Sequence, residues 1–235
     1  MPYSIKIGVI QWVGHIYKIR RVKMFAKDLL SATLDAEAWH LQSEALRRSA
    51  DVLWDKFTAE LVLAAVEYKR TSDMALMDVA YEYLMSAKLL YGLALETGLK
   101  ALIIKKFPDE IEIRITVNGH NIPIDAEVKS LGLSGGPSHN LLALAEKAGI
   151  FSEQFSKALV TGSDKEAFKD ICRNLGEIVI WRGRYPAPIR SFTPLEYSKM
   201  LPSKILGHYM RDFLDPVMDT IKIFFQDQGH INDKT

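Results

Sequence analysis

The chain has 235 residues, of which 48% are hydrophobic and 25% charged, a composition that excludes disordered and fibrous proteins. Its net charge of +1 argues against a protein that coats nucleic acid through a basic surface. The single cysteine, Cys172, excludes an intrachain disulfide framework and a zinc site built from cysteines. Six scattered histidines show no metal-ligand spacing. We therefore expect a globular, cytoplasmic protein without a metal or cofactor.

Residues 1–23 differ in charge from the remainder. They carry five basic and no acidic residues, so they sum to +5 and the remainder to −4. The apolar run Ile7–Val13 is far shorter than the roughly 20 residues that cross a bilayer, so we expect no membrane span and no signal peptide. Two interpretations stay open: residues 1–23 form a separate basic segment, or translation starts at Met24.

Two long helices are predicted next. From about Asp35 to Arg70, within region 24–70, apolar residues recur at steps of three and four, which indicates a long amphipathic helix. The residues 71–73 offer N-cap side chains for a second helix, which Pro108 ends. This second helix is apolar nearly all round from Leu89 to Ile104, which predicts a central position.

A β-hairpin is predicted near 110–124. Apolar and polar residues alternate from Glu110 to Val117, Asn118-Gly119 is a typical two-residue hairpin turn, and Ile122 and Ile124 suit a return strand.

Further helices follow the hairpin. Ser138 is a candidate cap for a short helix from His139 to Ala148 that ends at Gly149, and another short helix is expected near 152–160. The Ser163/Glu166 spacing matches a capping box, and the last helix covers about 203–226 with a kink or break at Pro216. The predicted fold is therefore mainly all-α: an up-and-down helical bundle over 71–228 with a small inserted hairpin, preceded by a long helix.

Glu96 and Lys100 are candidate functional residues on the central helix. They lie four residues apart in the favourable order for a helical ion pair. Because their surroundings are apolar, burial would require a third polar group. The alternative is a partly exposed pair at the edge of the bundle.

Ser138, His139 and Asn140 follow a glycine-rich turn at a helix start, where free amides and the helix dipole favour a phosphate. A histidine in this position is also often a local hydrogen-bonding residue.

The segment Trp181–Pro186 contains Arg182, Arg184 and Tyr185. Two guanidinium groups beside an aromatic ring suit phosphate binding and base stacking. Alternatively, the arginines only favour the negative end of the preceding helix.

The apolar helix Ala87–Ile104, then Ser138-His139-Asn140-Leu141, then Trp181–Pro186, in this order, resemble bacterial HEPN-domain proteins over roughly residues 72–188. The resemblance implies a helical bundle that is commonly homodimeric and occurs in toxin–antitoxin, phage-defence and nucleotidyltransferase-associated systems. Many such proteins cut RNA without a metal. It implies RNA or a nucleotide as ligand, and a cognate antitoxin or nucleotidyltransferase-like protein as partner.

This chain departs from the family in one respect, because the Arg-x4–6-His motif of the ribonuclease members is missing from its predicted helices. A metal-independent ribonuclease would use His139 as acid or base and Arg182 or Arg184 to stabilise phosphorane charge, with Glu96 and Lys100 orienting them. Asn140, Tyr185 and Ser138 would bind the ligand. The alternatives are a noncatalytic module that binds a nucleotide or protein, and a purely structural dimerisation protein with these residues dispersed.

Overall fold

The protein is mostly helical with one small antiparallel sheet, as predicted. The computed structural model describes residues 3–6, 31, 33–72, 75–117, 119–120, 123–133, 139–182 and 210–229. The helices are α1 (Ala36–Thr71), α2 (Ala75–Lys106), α3 (Leu141–Ala148), α4 (Gly162–Glu177) and α5 (Met210–Gly229), and the strands are β1 (Tyr3–Lys6), β2 (Ile111–Val117) and β3 (Pro123–Leu131). None of the helices in these ranges is both long and apolar enough to cross a membrane.

Helices α1 and α2 form a long antiparallel pair. The Asp35 side chain caps α1 by accepting hydrogen bonds from the amides of Glu37 and Ala38. The prediction that residues 71–73 cap the second helix is wrong for Thr71 and Ser72. Thr71 is still in α1, and Ser72 ends that helix in a left-handed conformation, with φ at 58°. Asp73 lies outside the described residues.

Helix α2 is the centre of the core, as its apolar composition predicts. Its second half is buried on nearly every side, from Tyr91 to Ile104. Gly92 lets α4 and the turn that follows it approach closely. A methyl group there would lie 3.3 Å from the carbonyl oxygen of Leu175 in α4 and 2.6 Å from Cγ2 of Val179 just after it. Cys172 of α4 belongs to the same core, and burial raises the pKa of its thiol to about 12.

The predicted hairpin forms the strands β2 and β3, and β1 adds a third antiparallel strand in the order β1-β2-β3. Ile111 and Ile113 face the core, which accounts for the alternation in the sequence. The predicted two-residue turn is wrong, since Val117 pairs with Pro123 and five residues separate the strands. Of the expected return strand, Ile122 lies outside the described residues.

Two caps and one short helix that the sequence predicts after the hairpin are wrong. Asn140 caps α3 in place of Ser138 and accepts a hydrogen bond from the Ala143 amide, while Gly149 ends this helix as expected. Residues Glu153–Phe155 form only a 3₁₀ turn. The capping box of α4 joins Thr161 and Asp164, not Ser163 and Glu166, because the helix begins at Gly162.

Helix α5 continues through Pro216, so no break occurs there. A polar network fixes it to the long pair. Arg47 of α1 contacts Asp219 at 2.6 Å and Asp215 at 3.2 Å. Arg211 contacts Asp215 at 2.8 Å and Asp51 at 3.1 Å. The Asp51 carboxylate also accepts a hydrogen bond from the buried Tyr91 hydroxyl at 2.7 Å.

His40 is a buried histidine between α1 and α5. His40 is only 5% exposed. Its ring stacks on the ring of Phe225, with the two centroids 4.5 Å apart and an angle of 5° between the ring planes. Among the described residues its Nδ1 atom has no hydrogen-bond partner. Burial lowers the pKa of His40, although the charges of Glu44 and Glu37 act in the opposite direction. Lys222, which pairs with Glu44 at 3.2 Å, adds to the lowering.

We predict that acid weakens the fold through His40. Because the pKa is lower in the folded state, only the unfolded chain binds the proton as pH falls below about 6.5, the usual histidine value. The contribution is therefore fully present above that pH and is lost as pH falls towards the folded pKa. The loss has a limiting slope of about 1.4 kcal/mol per pH unit.

The measurement is urea unfolding from pH 7.5 to 5.0, comparing wild type with His40→Phe, which keeps an aromatic ring and cannot be protonated. The variant should lose less unfolding free energy over this range. Parallel pH profiles would contradict the prediction.

Candidate functional site

The candidate site is centred on a buried carboxylate. Oε1 of Glu96 lies 2.5 Å from Nζ of Lys100, one turn further along α2. Their side chains are only 6% and 12% exposed, so the alternative of a partly exposed pair at the bundle edge is wrong. Burial of this pair requires additional hydrogen bonds to the carboxylate.

His139 supplies the third polar group. Its Nδ1 atom lies 3.0 Å from both carboxylate oxygens of Glu96. A carboxylate only accepts hydrogen bonds, so this geometry assigns the proton to Nδ1 and leaves Nε2 as the nitrogen that gains or loses a proton. The His139 side chain is 51% exposed, and no hydrogen bond to Nε2 occurs within the described ranges. The site therefore has a buried anchor and a solvent-facing imidazole.

The close crossing of α2 and α4 positions this imidazole. Gly92, which lets α4 approach closely, is one turn before Glu96. A methyl group on Gly176 of α4 would lie 3.8 Å from the carbonyl oxygen of His139, so the chain before α3 rests on α4 at that point. Asn140 then begins α3 as its cap. These contacts hold the His139 backbone beside α2, and Glu96 fixes the orientation of the ring.

Trp39 of α1 completes the described surroundings. Nζ of Lys100 lies 5.6 Å from the centroid of the indole ring, within the range of a cation–π contact. The indole Nε1 donates a hydrogen bond to the carbonyl oxygen of Thr33 at 3.0 Å. Trp39 therefore shields the buried ammonium. The position of this tryptophan in the long amphipathic helix predicts only a packing role, so the sequence does not reveal the contact.

No family model, curated protein or solved structure matches this chain.

Within the part of the chain that the structure describes, no group of three or more His, Cys, Asp or Glu side chains has a metal-binding arrangement. The donors that meet at the site are one imidazole and one carboxylate, and the carboxylate is already paired with Lys100.

The other predicted site residues are placed in part. The oxygen of the Asn140 side chain serves as the helix cap. Arg182 ends a π-helical turn, Ile178–Arg182, that follows α4 directly, and such turns are frequent at functional sites. Its backbone lies six residues beyond Gly176, about 9 Å along the axis at helical rise. Ser138, Arg184 and Tyr185 lie outside the described residues.

The polar network around Arg211 was also missed by the sequence analysis. The four-residue spacing of His208 and Asp212 in the sequence predicts a solvent-facing pair beside this arginine. Asp212 is exposed, and His208 lies outside the described residues. Arg211 instead pairs with Asp215 one turn along α5 and with Asp51 of α1. The partner on α1 is 160 residues away in sequence, so no local pattern reveals it.

The arrangement is suited to proton transfer. With a neutral imidazole, the Glu96 and Lys100 charges cancel, and a protonated imidazole leaves the three groups with a charge of +1. An anionic ligand in front of His139 would compensate that charge. A half-exposed histidine oriented by a buried carboxylate is a typical general acid or base.

We predict that removing only one member of the buried pair is costly. Glu96→Leu leaves Lys100 without its counter-ion and should lower the free energy of unfolding by about 3–5 kcal/mol. Adding Lys100→Met removes the remaining charge and should restore much of the loss. Both effects are measured by urea unfolding followed by circular dichroism.

Glu166→Leu is the control, because its pair with Lys169 is on the surface, where solvent screens the charges and the pair should contribute little. The prediction fails if Glu96→Leu costs no more than this control.

Proposed function

We propose that this protein is a metal-independent ribonuclease of the HEPN-like type that uses His139 for proton transfer. The observation that carries the proposal is the contact of His139 Nδ1 with both oxygens of the buried Glu96, in a side chain that is 51% exposed. The choice of RNA rests on the resemblance to HEPN-domain proteins.

The reaction needs no group beyond the substrate, the protein and water. The 2′-oxygen of RNA loses its proton and attacks the neighbouring phosphorus, the bond to the 5′-oxygen breaks, and a 2′,3′-cyclic phosphate and a 5′-hydroxyl result. Nε2 of His139 transfers the proton at one of these two oxygens, as acid or as base, and water exchanges the proton at the other. Glu96 keeps the ring in the tautomer with Nδ1 protonated, and Lys100 holds Glu96 in place. Arg182 or Arg184 stabilises charge on the phosphorane.

A noncatalytic module that binds a nucleotide or RNA end is the second candidate function. The absence of the Arg-x4–6-His motif from α1–α5 favours it. In that case His139, held by the buried Glu96–Lys100 pair, binds a phosphate without turning over a substrate.

The test is cleavage of a mixed single-stranded and structured RNA in EDTA by purified wild-type protein. His139→Ala should lower the cleavage rate by about 10²–10⁴-fold, the usual contribution of a general acid or base. Glu96→Gln should lower it as well, since it keeps an acceptor for Nδ1 and removes the charge. His120→Ala is the matched control, because His120 is an exposed histidine in the β2–β3 connection, and it should leave the rate unchanged.

Equal rates for wild type and His139→Ala would contradict the proposal. If folded wild-type protein does not cleave RNA but binds it in a His139-dependent manner, the binding module is correct instead.

A further inference from the structure

The face of α1 that points away from α2 carries a long apolar surface. Five of its large side chains, which are spread over six to seven turns, are between 58% and 68% exposed. We call this surface the outer stripe. It consists of Leu41, Arg48, Val52, Asp55, Ala59, Val62, Leu63 and Val66.

The outer stripe lies opposite the face that α1 buries. The buried positions include Ala50, Phe57 and Ala64, seven residues apart. Two positions after each of these buried residues comes a residue of the stripe: Val52, Ala59 and Val66. At 3.6 residues per turn, two positions correspond to about 200° round the helix. α1 is thus apolar on two opposite faces, and only one of them packs on α2. An exposed apolar surface of this length indicates an interaction site.

Two opposite charges interrupt the outer stripe. Arg48 and Asp55 are both exposed and seven residues apart, so they lie on the same side of the helix. Neither side chain forms an ion pair within the described ranges. Neighbouring charges outside the stripe behave differently, since Arg47 pairs with Asp219 and Lys56 with Glu60.

We propose that the outer stripe binds the outer stripe of a second copy of this chain, antiparallel, with a two-fold axis at Asp51–Val52. In this arrangement positions equally far before and after the axis face each other. Arg48 of each copy then faces Asp55 of the other, which pairs both stripe charges twice, and Leu41 faces Val62. The interface is isologous, as a two-fold dimer requires.

The size of the surface fits this occupant. From Leu41 to Val66 the stripe is about 37 Å long at helical rise, a length that another long straight helix matches. Two such helical faces bury on the order of 1,000 Å², the lower limit for a specific interface. Trp39 is in contact with Lys100 of α2, on the inner side of α1, so dimerisation through the stripe leaves the His139 site open.

A charge swap tests the proposal by sedimentation of the full chain at several concentrations. Wild type should be a dimer. Arg48→Glu places two carboxylates opposite each other, and Asp55→Arg places two guanidinium groups opposite each other, so each should weaken dimerisation by tenfold or more. The double variant Arg48→Glu/Asp55→Arg should restore it. Lys169→Glu, a surface charge change on α4, should leave dimerisation unchanged.

Cross-linking tests the position of the axis. Val52→Cys lies beside its own copy across the axis and should form an intermolecular disulfide under mild oxidation, whereas Val62→Cys lies far from its copy and should not. The native Cys172 is buried and does not interfere. A monomeric wild type, failure of the double variant to dimerise, or equal cross-linking through residues 52 and 62 would each overturn the proposal. None of these outcomes depends on ribonuclease activity.

Discussion

A carboxylate buried in an apolar helix has to be neutralised, and the candidate site is organised by this requirement. Glu96 lies in the most buried half of α2, where an unpaired charge would strongly destabilise the fold. Lys100 supplies the opposite charge, and His139 supplies one further N–H group, which the two carboxylate oxygens share. Both partners are fixed as a result, one along the same helix and one from the segment before α3. The same contacts leave one nitrogen of a half-exposed imidazole facing outwards, so stability and chemistry have a common origin here.

The fold follows from the sequence where a pattern is long and local. The recurrence of apolar residues predicts α1 and α2 closely, and the alternation from Glu110 predicts β2. Errors occur at helix ends and turns, where several residues are chemically suitable caps. Thr161 and Ser163 both offer a hydroxyl with an acidic residue three positions later, and only packing of the chain decides that Thr161 is used. Likewise, tertiary pairing of Val117 with Pro123 outweighs the turn preference of Asn118-Gly119.

The candidate site is also predictable only where the pattern is local, which is the case for the Glu96–Lys100 pair. Glu96 and Lys100 can be identified from the sequence because charged side chains in an apolar helix require partners. The same argument predicts a third polar group in contact with them. Its identity as His139 depends on the approach of α4 at Gly92 and Gly176, a contact between elements far apart in the chain. The contact of Trp39 with Lys100 and the pair of Arg211 with Asp51 were missed because the partners lie 61 and 160 residues apart in sequence. A contact between elements so distant in the chain leaves no periodic signal.

The most direct measurement of the central claim is the protonation of the His139 ring, read by ¹⁵N NMR of the folded protein through a pH titration. The contact with Glu96 predicts that Nδ1 keeps its proton throughout and that Nε2 alone gains and loses one. In Glu96→Leu this tautomer preference should disappear. A neutral His139 ring with its proton on Nε2 in the wild-type protein would contradict the account, because Glu96 would then accept no hydrogen from His139 and, among the described residues, only Lys100 would pair with it.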